Sequence, residues 1–113
     1  MQHRDKIVLQ KIISEIEIGQ QMLGNTTLDD FLCDEMLKRA VGMTVINIGE
    51  LIKNISDEMR TAHPEVPWKA AAGLRDLAAH KYQTLRMEDV YITAKTDFPN
   101  LKLQLKDILT EEA

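Results

Sequence analysis

The sequence LDDFLCDEMLKRAVGMTVINIGELIKNISDEMR, residues 28–60, decides the fold. Its apolar residues recur every three or four positions, the period of a helix with one buried face. They are Phe31, Leu32, Met36, Leu37, Val41, Val45, Ile48, Leu51, Ile52 and Ile55. The first proline of the chain is Pro64, so no proline breaks this pattern. It predicts one long helix of roughly nine turns at about 3.6 residues each.

A first helix is predicted over residues 5–23, on the N-terminal side of this segment. Its apolar residues keep the same period: Leu9, Ile12, Ile13, Ile16 and Leu23. Gly24 and Asn25 then favour a helix stop, and Thr27 with Asp30 resembles a capping box at the start of the long helix. The long helix is therefore the second of the chain.

Further helices are predicted on the C-terminal side. Pro64 and Pro67 end the long helix and begin a third one, over about residues 67–81, which is rich in alanine and therefore packs closely against a neighbour. A fourth helical stretch covers about residues 87–96, and a last helix follows Phe98-Pro99. The predicted fold class is all-α: an up-and-down bundle of four to five helices with one long second helix.

Length and composition limit the possible classes of protein. A chain of 113 residues supports one hydrophobic core, so residues 1–113 are expected to form a single domain. We expect a cytoplasmic protein without membrane association, because no apolar run reaches membrane-spanning length and no signal peptide is recognisable. The single cysteine, Cys33, has no partner for an intrachain disulfide, and its position in the helical pattern predicts a small buried residue.

The charge of the chain is distributed unevenly. The formal net charge is −4, which argues against indiscriminate binding to phosphate backbones. The segment from Lys69 to Arg86, however, contains four cations and one anion, a local charge of +3. Nucleic acid would therefore be attracted to this segment rather than to the whole surface.

This basic segment contains the candidate functional residues. The stretch GLRDLAAHKY, residues 73–82, places Arg75, Asp76, His80 and Tyr82 among small and apolar residues. A permanent cation, a group that titrates near neutrality, a phenol and a carboxylate are suited to chemistry on phosphate esters. We therefore predict the functional site here.

Helical geometry divides these residues between two faces. Asp76 and His80 are four residues apart and share one face, so the carboxylate could accept the ring N–H and orient the imidazole. Arg75 and Tyr82 are seven apart and share another face. One chain alone makes a poor pocket from these groups. Two copies packed through the alanine-rich face could supply Arg75 and His80 from both subunits to a shared cleft.

The same residues resemble a known family. Arg75, His80 and Tyr82 fit the signature of the HEPN superfamily, an arginine, four residues, a histidine, one residue and a tyrosine, in the branch of the HepT-like toxins. Three further segments are similar to that branch: INIGEL at 46–51, PEVPW at 64–68 and DVY at 89–91. Two positions differ from the family pattern, since Asp76 stands where asparagine is also frequent and Tyr91 replaces the commoner tryptophan.

The resemblance implies a homodimeric HEPN-like protein that acts as a metal-independent endoribonuclease toxin without a cofactor. It also implies a partner antitoxin, a minimal MntA-like nucleotidyltransferase, which transfers AMP from ATP to Tyr82 and silences the toxin. Cleavage of RNA beside a ribose needs a base for the 2′-hydroxyl, an acid for the leaving oxygen and a cation for the charged transition state. Two His80 side chains could divide the first two roles, with Arg75 binding the phosphate.

Several of these residues could have a structural role instead of a catalytic one. His80 could be a core histidine satisfied by Asp76, and Arg75 could form a structural salt bridge with Glu50 of the long helix. For Glu50 we favour such support of Arg75 over direct catalysis, and Tyr82 could cap the helix end. The corresponding alternative function is a non-catalytic subunit that binds a nucleotide or docks the nucleotidyltransferase.

For the residues outside the motif we expect structural rather than functional roles. His63 is expected in an exposed loop, Trp68 as the anchor of the turn against the core, and Tyr91 as a core residue. Four acids near the start of the long helix are expected to form a solvated face rather than a metal site, because no histidine or cysteine accompanies them at ligand spacing. They are Asp29, Asp30, Asp34 and Glu35.

Overall fold

The structure is a computed structural model that describes residues 1–73 and 86–112. Helices dominate these two ranges, and neither contains a strand. The helices are α1 (His3–Leu23), α2 (Leu28–Cys33), α3 (Glu35–Lys53), α4 (Asp57–Ala62), the described part of α5 (68–73), α6 (Met87–Ile92) and α7 (Phe98–Glu112). A π-helical turn, Thr93–Asp97, joins α6 to α7. The all-α fold class predicted from the periodicity is confirmed.

The core lies around α1, which contacts α3 and α7. Leu9, Ile12 and Ile16 of α1 are fully buried, as the spacing predicted. Polar contacts join the two helix pairs at the rim: Asn47 Nδ2 of α3 donates to Glu15 Oε1 at 3.2 Å, and Lys102 Nζ of α7 donates to Gln20 Oε1 at 2.7 Å. The apolar core is built mainly by these three helices.

The predicted long second helix is wrong, because the chain interrupts it twice. At Asp34 the backbone is extended, with φ −106° and ψ 95°, and the side chain accepts from Leu37 N at 3.0 Å. At Ser56 the hydroxyl accepts from Met59 N at 3.1 Å. Side-chain caps of this kind start new helices without any glycine or proline. Residues 28–62 therefore form three helices, α2, α3 and α4.

At the second interruption, Ser56 is hydrogen-bonded to a buried carboxylate at the start of α1. Asp5 is 2% exposed, and its two oxygens accept from Ser56 N at 3.0 Å and from Ser56 Oγ at 2.6 Å. Both acceptor atoms of the carboxylate are thus occupied by one residue, as buried polar groups require. This contact fixes the start of α4 against α1.

The predicted separation between the fourth helical stretch and the last helix is also wrong. The π turn carries the chain from α6 into α7 without a loop, and the N–H of Phe98 donates to the carbonyl of Thr93. Pro99 is the second residue of α7. Because the chain is helical on both sides of Phe98, the missing N–H of Pro99 is accommodated where the hydrogen bonding changes from the π to the α pattern.

The loop between α4 and α5 corrects one expectation and confirms another. His63 is buried at 9% exposure rather than exposed, and its Nδ1 lies 3.3 Å from Glu65 Oε1. The loop turns inward at His63 because the His63 carbonyl accepts from Trp68 Nε1 at 3.0 Å, and Trp68 is itself buried. Trp68 therefore anchors this turn, as predicted.

Near the first interruption, Cys33 is exposed, not buried as predicted. It is the last residue of α2, where the helical period that placed it inside comes to an end. The other predictions for this region hold, except that Tyr91, predicted in the core, is half-buried against it. Gly24 ends α1 with a positive φ of 49°, Thr27 Oγ1 accepts from Asp30 N at 3.2 Å, and Tyr91 packs against Phe31 with ring centroids 5.3 Å apart.

Candidate active site

The motif residues Arg75, Asp76, His80 and Tyr82 lie outside the described residues. Their mutual geometry, and the division into two faces, therefore stay predictions. The structure does describe the chain on both sides of the motif and the predicted supporting residue Glu50. It also describes two surface depressions, one beside Glu50 and one beside α5.

The start of α5 is held firmly against the core. Trp68 N donates to Val66 O at 2.8 Å, and Ala71 N donates to Pro67 O at 3.0 Å, which closes the first turn of the helix. Ala72 is 8% exposed and faces the core, while Ala71 is half-buried beside it. The helix predicted to carry the motif thus begins from a fixed position and direction.

Glu50 lies exposed on α3 and lines an open groove between α1 and α3. The volume of this groove is about 410 Å³, and Lys11, Glu15 and Asn47 also line it. An adjoining hollow of about 440 Å³ shares Lys11 with it and adds His3 and Arg4. We call the two together the α1–α3 groove. Its carboxylates, Glu15 and Glu50, are at one end, and its most basic part is at the start of α1.

A second depression lies between α5 and the π turn, with a volume of about 330 Å³. We call it the α5–π cavity. Its lining comes from α5 and the residue before it, from the π turn and from α7: Pro67, Ala70, Ala71, Thr93, Asp97, Phe98, Asn100, Leu101 and Gln104. Sequence reasoning missed it, because α5 and the π turn are distant in the chain and only the fold brings them together.

The positive charge of the basic segment, residues 69–86, is partly compensated by a carboxylate at its C-terminal end. Arg86 Nη2 lies 3.3 Å from Glu88 Oε2, just beyond the segment whose charge was counted. A hydrogen bond from its own backbone amide, and then the Arg86 guanidinium, lower the pKa of Glu88. The pair is exposed and therefore weak, so Arg86 remains accessible to phosphate although Glu88 partly compensates its charge.

Residues 1–73 and 86–112 contain neither a metal-binding cluster nor a membrane-spanning helix. Within these ranges, no group of three or more histidine, cysteine, aspartate or glutamate side chains is placed to hold a metal ion. None of the helices described there is both long and apolar enough to cross a bilayer.

Comparison with known proteins identifies the family. The sequence profile described as "Ribonuclease HepT-like" matches residues 12–108, most of the chain. No solved structure matches.

Three curated relatives cover nearly the whole chain. A candidate RNase of Caldanaerobacter subterraneus is 35% identical over 92% of this chain and 93% of its own length. A protein of Thermococcus cleftensis named "Probable ribonuclease HepT" is 34% identical over 90% of this chain and 93% of its own length. A further candidate RNase, from Methanocaldococcus jannaschii, is 30% identical over 98% of this chain and 97% of its own length. The chain belongs to the ribonuclease HepT-like family.

Proposed function

We propose that this protein is an endoribonuclease that cleaves RNA without a metal ion and acts as the toxin of a toxin–antitoxin pair. The observation that carries the proposal is the family match over residues 12–108, which includes the whole motif from Arg75 to Tyr82. The relatives named as ribonucleases support the same activity, since they align over nearly their full lengths.

The proposed chemistry follows from the side chains of the motif. Arg75 binds the scissile phosphate with its guanidinium fork, which matches the geometry of phosphate oxygens. His80 takes the proton of the 2′-hydroxyl, and a second His80 gives a proton to the leaving oxygen. Asp76 orients His80 by accepting its other ring N–H. Glu50, exposed on α3, is proposed to support Arg75.

This division of roles requires a homodimer, because one chain supplies one His80. The proposed cleft forms where two copies of the alanine-rich α5 meet across a two-fold axis. Light scattering in solution tests the arrangement directly, and a monomer at the concentrations where the protein is active would contradict it.

The proposed inhibition of the toxin by a partner enzyme has a simple physical explanation. AMP transferred to Tyr82 would place an anionic phosphate inside a phosphate-binding cleft and exclude RNA by its charge and bulk. We therefore propose a minimal nucleotidyltransferase of the MntA-like kind as the antitoxin partner.

The test of the function compares Arg75→Ala with Arg39→Ala. Arg39 is an exposed arginine on α3 whose guanidinium bonds Glu35, and it serves as the matched control. With RNA in EDTA, Arg75→Ala should lose cleavage, while Arg39→Ala should cleave like the wild type. If the wild type does not cleave RNA but Arg75→Ala weakens nucleotide binding, the non-catalytic alternative is correct instead.

A further inference from the structure

We propose that the α5–π cavity binds one base of the RNA substrate beside the scissile phosphate, with a preference for guanine. The inference rests on the proposed function for the identity of the ligand as RNA. The cavity itself, its lining and its charge are properties of the described residues. Nothing in the motif or in the family match assigns a role to this part of the fold.

The size and walls of the cavity suit a single base. A volume of about 330 Å³ lies at the small end of the range for ligand sites, about 300–1,000 Å³. Ala70 and Ala71 form one wall, and Phe98 and Leu101 contribute the apolar side of the other. The small side chains on one side and the exposed edges of the buried Phe98 and Leu101 on the other give the space apolar faces, against which the flat faces of an unstacked base could pack.

The polar groups are gathered on one helical stripe. Thr93, Asp97, Asn100 and Gln104 follow one another at intervals of three or four residues along the π turn and α7, so they lie on one face. Gln104, the last of the four, donates from Nε2 to Glu65 O at 3.3 Å. This hydrogen bond joins the C-terminal end of the row to the loop before α5. The α5 side of the cavity is therefore apolar, while the side formed by the π turn and α7 carries all of its polar side chains, next to Phe98 and Leu101.

Asp97 determines which hydrogen-bonding groups of a ligand this row of polar side chains prefers. Its carboxylate is exposed and makes no hydrogen bond or ion pair within residues 1–73 and 86–112. It is also the only charged side chain among the described residues that line the cavity. A carboxylate only accepts hydrogen bonds and repels anions, so the part of an RNA that meets it must be a base that presents donors rather than a phosphate.

Among the four RNA bases, guanine fits this edge best. It presents two adjacent donors, N1–H and the N2 amino group, which can meet the two oxygens of one carboxylate. Its O6 lies next to these donors and could accept from the amide of Asn100. Adenine, cytosine and uracil each present fewer adjacent donors, so the same edge would hold them less tightly.

The position of the cavity connects it to the motif. Ala71 lines it, and Arg75 follows four residues later in the sequence. The helix predicted from the sequence over residues 67–81 would place the two on one face, about 6 Å apart along the axis. A phosphate bound by Arg75 and a base bound in the α5–π cavity would then be adjacent groups of one RNA strand. The cavity would thereby select the base beside the bond that is cut.

Binding of free nucleosides to the full-length protein tests the inference. Guanosine, adenosine, cytidine and uridine are titrated separately while amide chemical shifts are followed by NMR. Guanosine should shift the amides of residues 93–104 and bind at least about 5-fold more tightly than the other three. Asp97→Asn should weaken guanosine binding about 10-fold, because the amide replaces one acceptor by a donor. Asp107→Asn, the same change at an exposed site of α7 that does not line the cavity, should leave binding unchanged.

Three results would overturn the inference: equal binding of all four nucleosides, shifts confined to residues outside the cavity, or an Asp97→Asn variant that binds guanosine like the wild type. The nucleoside titration requires no cleavage, so it reports on the cavity even if the protein does not cut RNA. Cleavage-site mapping on RNA then reports on the proposed function separately. Guanine beside the cut should be enriched for the wild type and for Asp107→Asn, and the enrichment should be lost in Asp97→Asn.

Discussion

Single residues decide where the helices of this protein begin. Asp5 is the clearest case, since its buried carboxylate bonds both the backbone N–H and the hydroxyl of Ser56. In the sequence, Asp5 is one of 18 acidic residues, and no local pattern marks it as buried. Its role depends on a partner 51 positions away, which periodicity cannot reveal.

Replacing Asp5 should destabilise the fold. Asp5→Ala leaves Ser56 N–H without its acceptor, and an unsatisfied buried donor costs about 1–3 kcal/mol. We expect a loss of about 2 kcal/mol in the free energy of unfolding, measured by urea denaturation. Asp107→Ala, an exposed aspartate of α7, is the control and should change stability by less than about 0.5 kcal/mol. A similar small change for Asp5→Ala would show that the contact contributes little.

The proposed modification is also tested at single residues. Incubation with ATP and the partner nucleotidyltransferase should raise the intact mass of the wild type and of Tyr91→Phe by AMP, but not that of Tyr82→Phe. Tyr91 is a suitable control because its hydroxyl already donates to Thr26 O at 2.6 Å. An equal rise in mass for Tyr82→Phe would place the AMP elsewhere.

At the scale of elements, the apolar period predicted the helices well and their ends less well. It located α1, most of α3 and α7, because burial of one face dictates that period. It joined α2, α3 and α4 into one helix, because Asp34 and Ser56 start new helices with side-chain hydrogen bonds that leave the apolar pattern nearly unchanged. The α5–π cavity could not be predicted either, since it exists only where two distant elements meet.

Helix α5 depends on its first residue. The Trp68 indole N–H donates to the carbonyl of His63 and fixes the direction in which the helix leaves the loop. Trp68→Phe retains most of the apolar contact but loses this hydrogen bond, which should cost about 1 kcal/mol of stability. If α5 positions the motif, the rate of RNA cleavage should fall as well, with RNA binding changed less. Thermal unfolding and cleavage kinetics measure the two effects. Unchanged stability and rate would show that Trp68 does not position α5.

At the scale of the whole molecule, a small acidic protein is proposed to act on an acidic polymer. The formal net charge of −4 opposes RNA binding over most of the surface, so binding depends on local cations. Such cations are found at the basic end of the α1–α3 groove, with Arg4 and Lys11, and in the segment that carries Arg75. The family and the fold class were both accessible from the sequence, because the motif and its neighbouring segments lie in a recognisable order.

The central claim is that His80 carries out RNA cleavage without metal. Its most direct test is the initial rate of cleavage of a purified RNA in EDTA by the wild type, by Arg39→Ala and by His80→Ala. General acid–base catalysis contributes about 10²–10⁴-fold to a rate, so His80→Ala should be slower than the wild type by at least about 100-fold, with Arg39→Ala unaffected. Equal rates for the wild type and His80→Ala, or cleavage that stops in EDTA, would contradict the account.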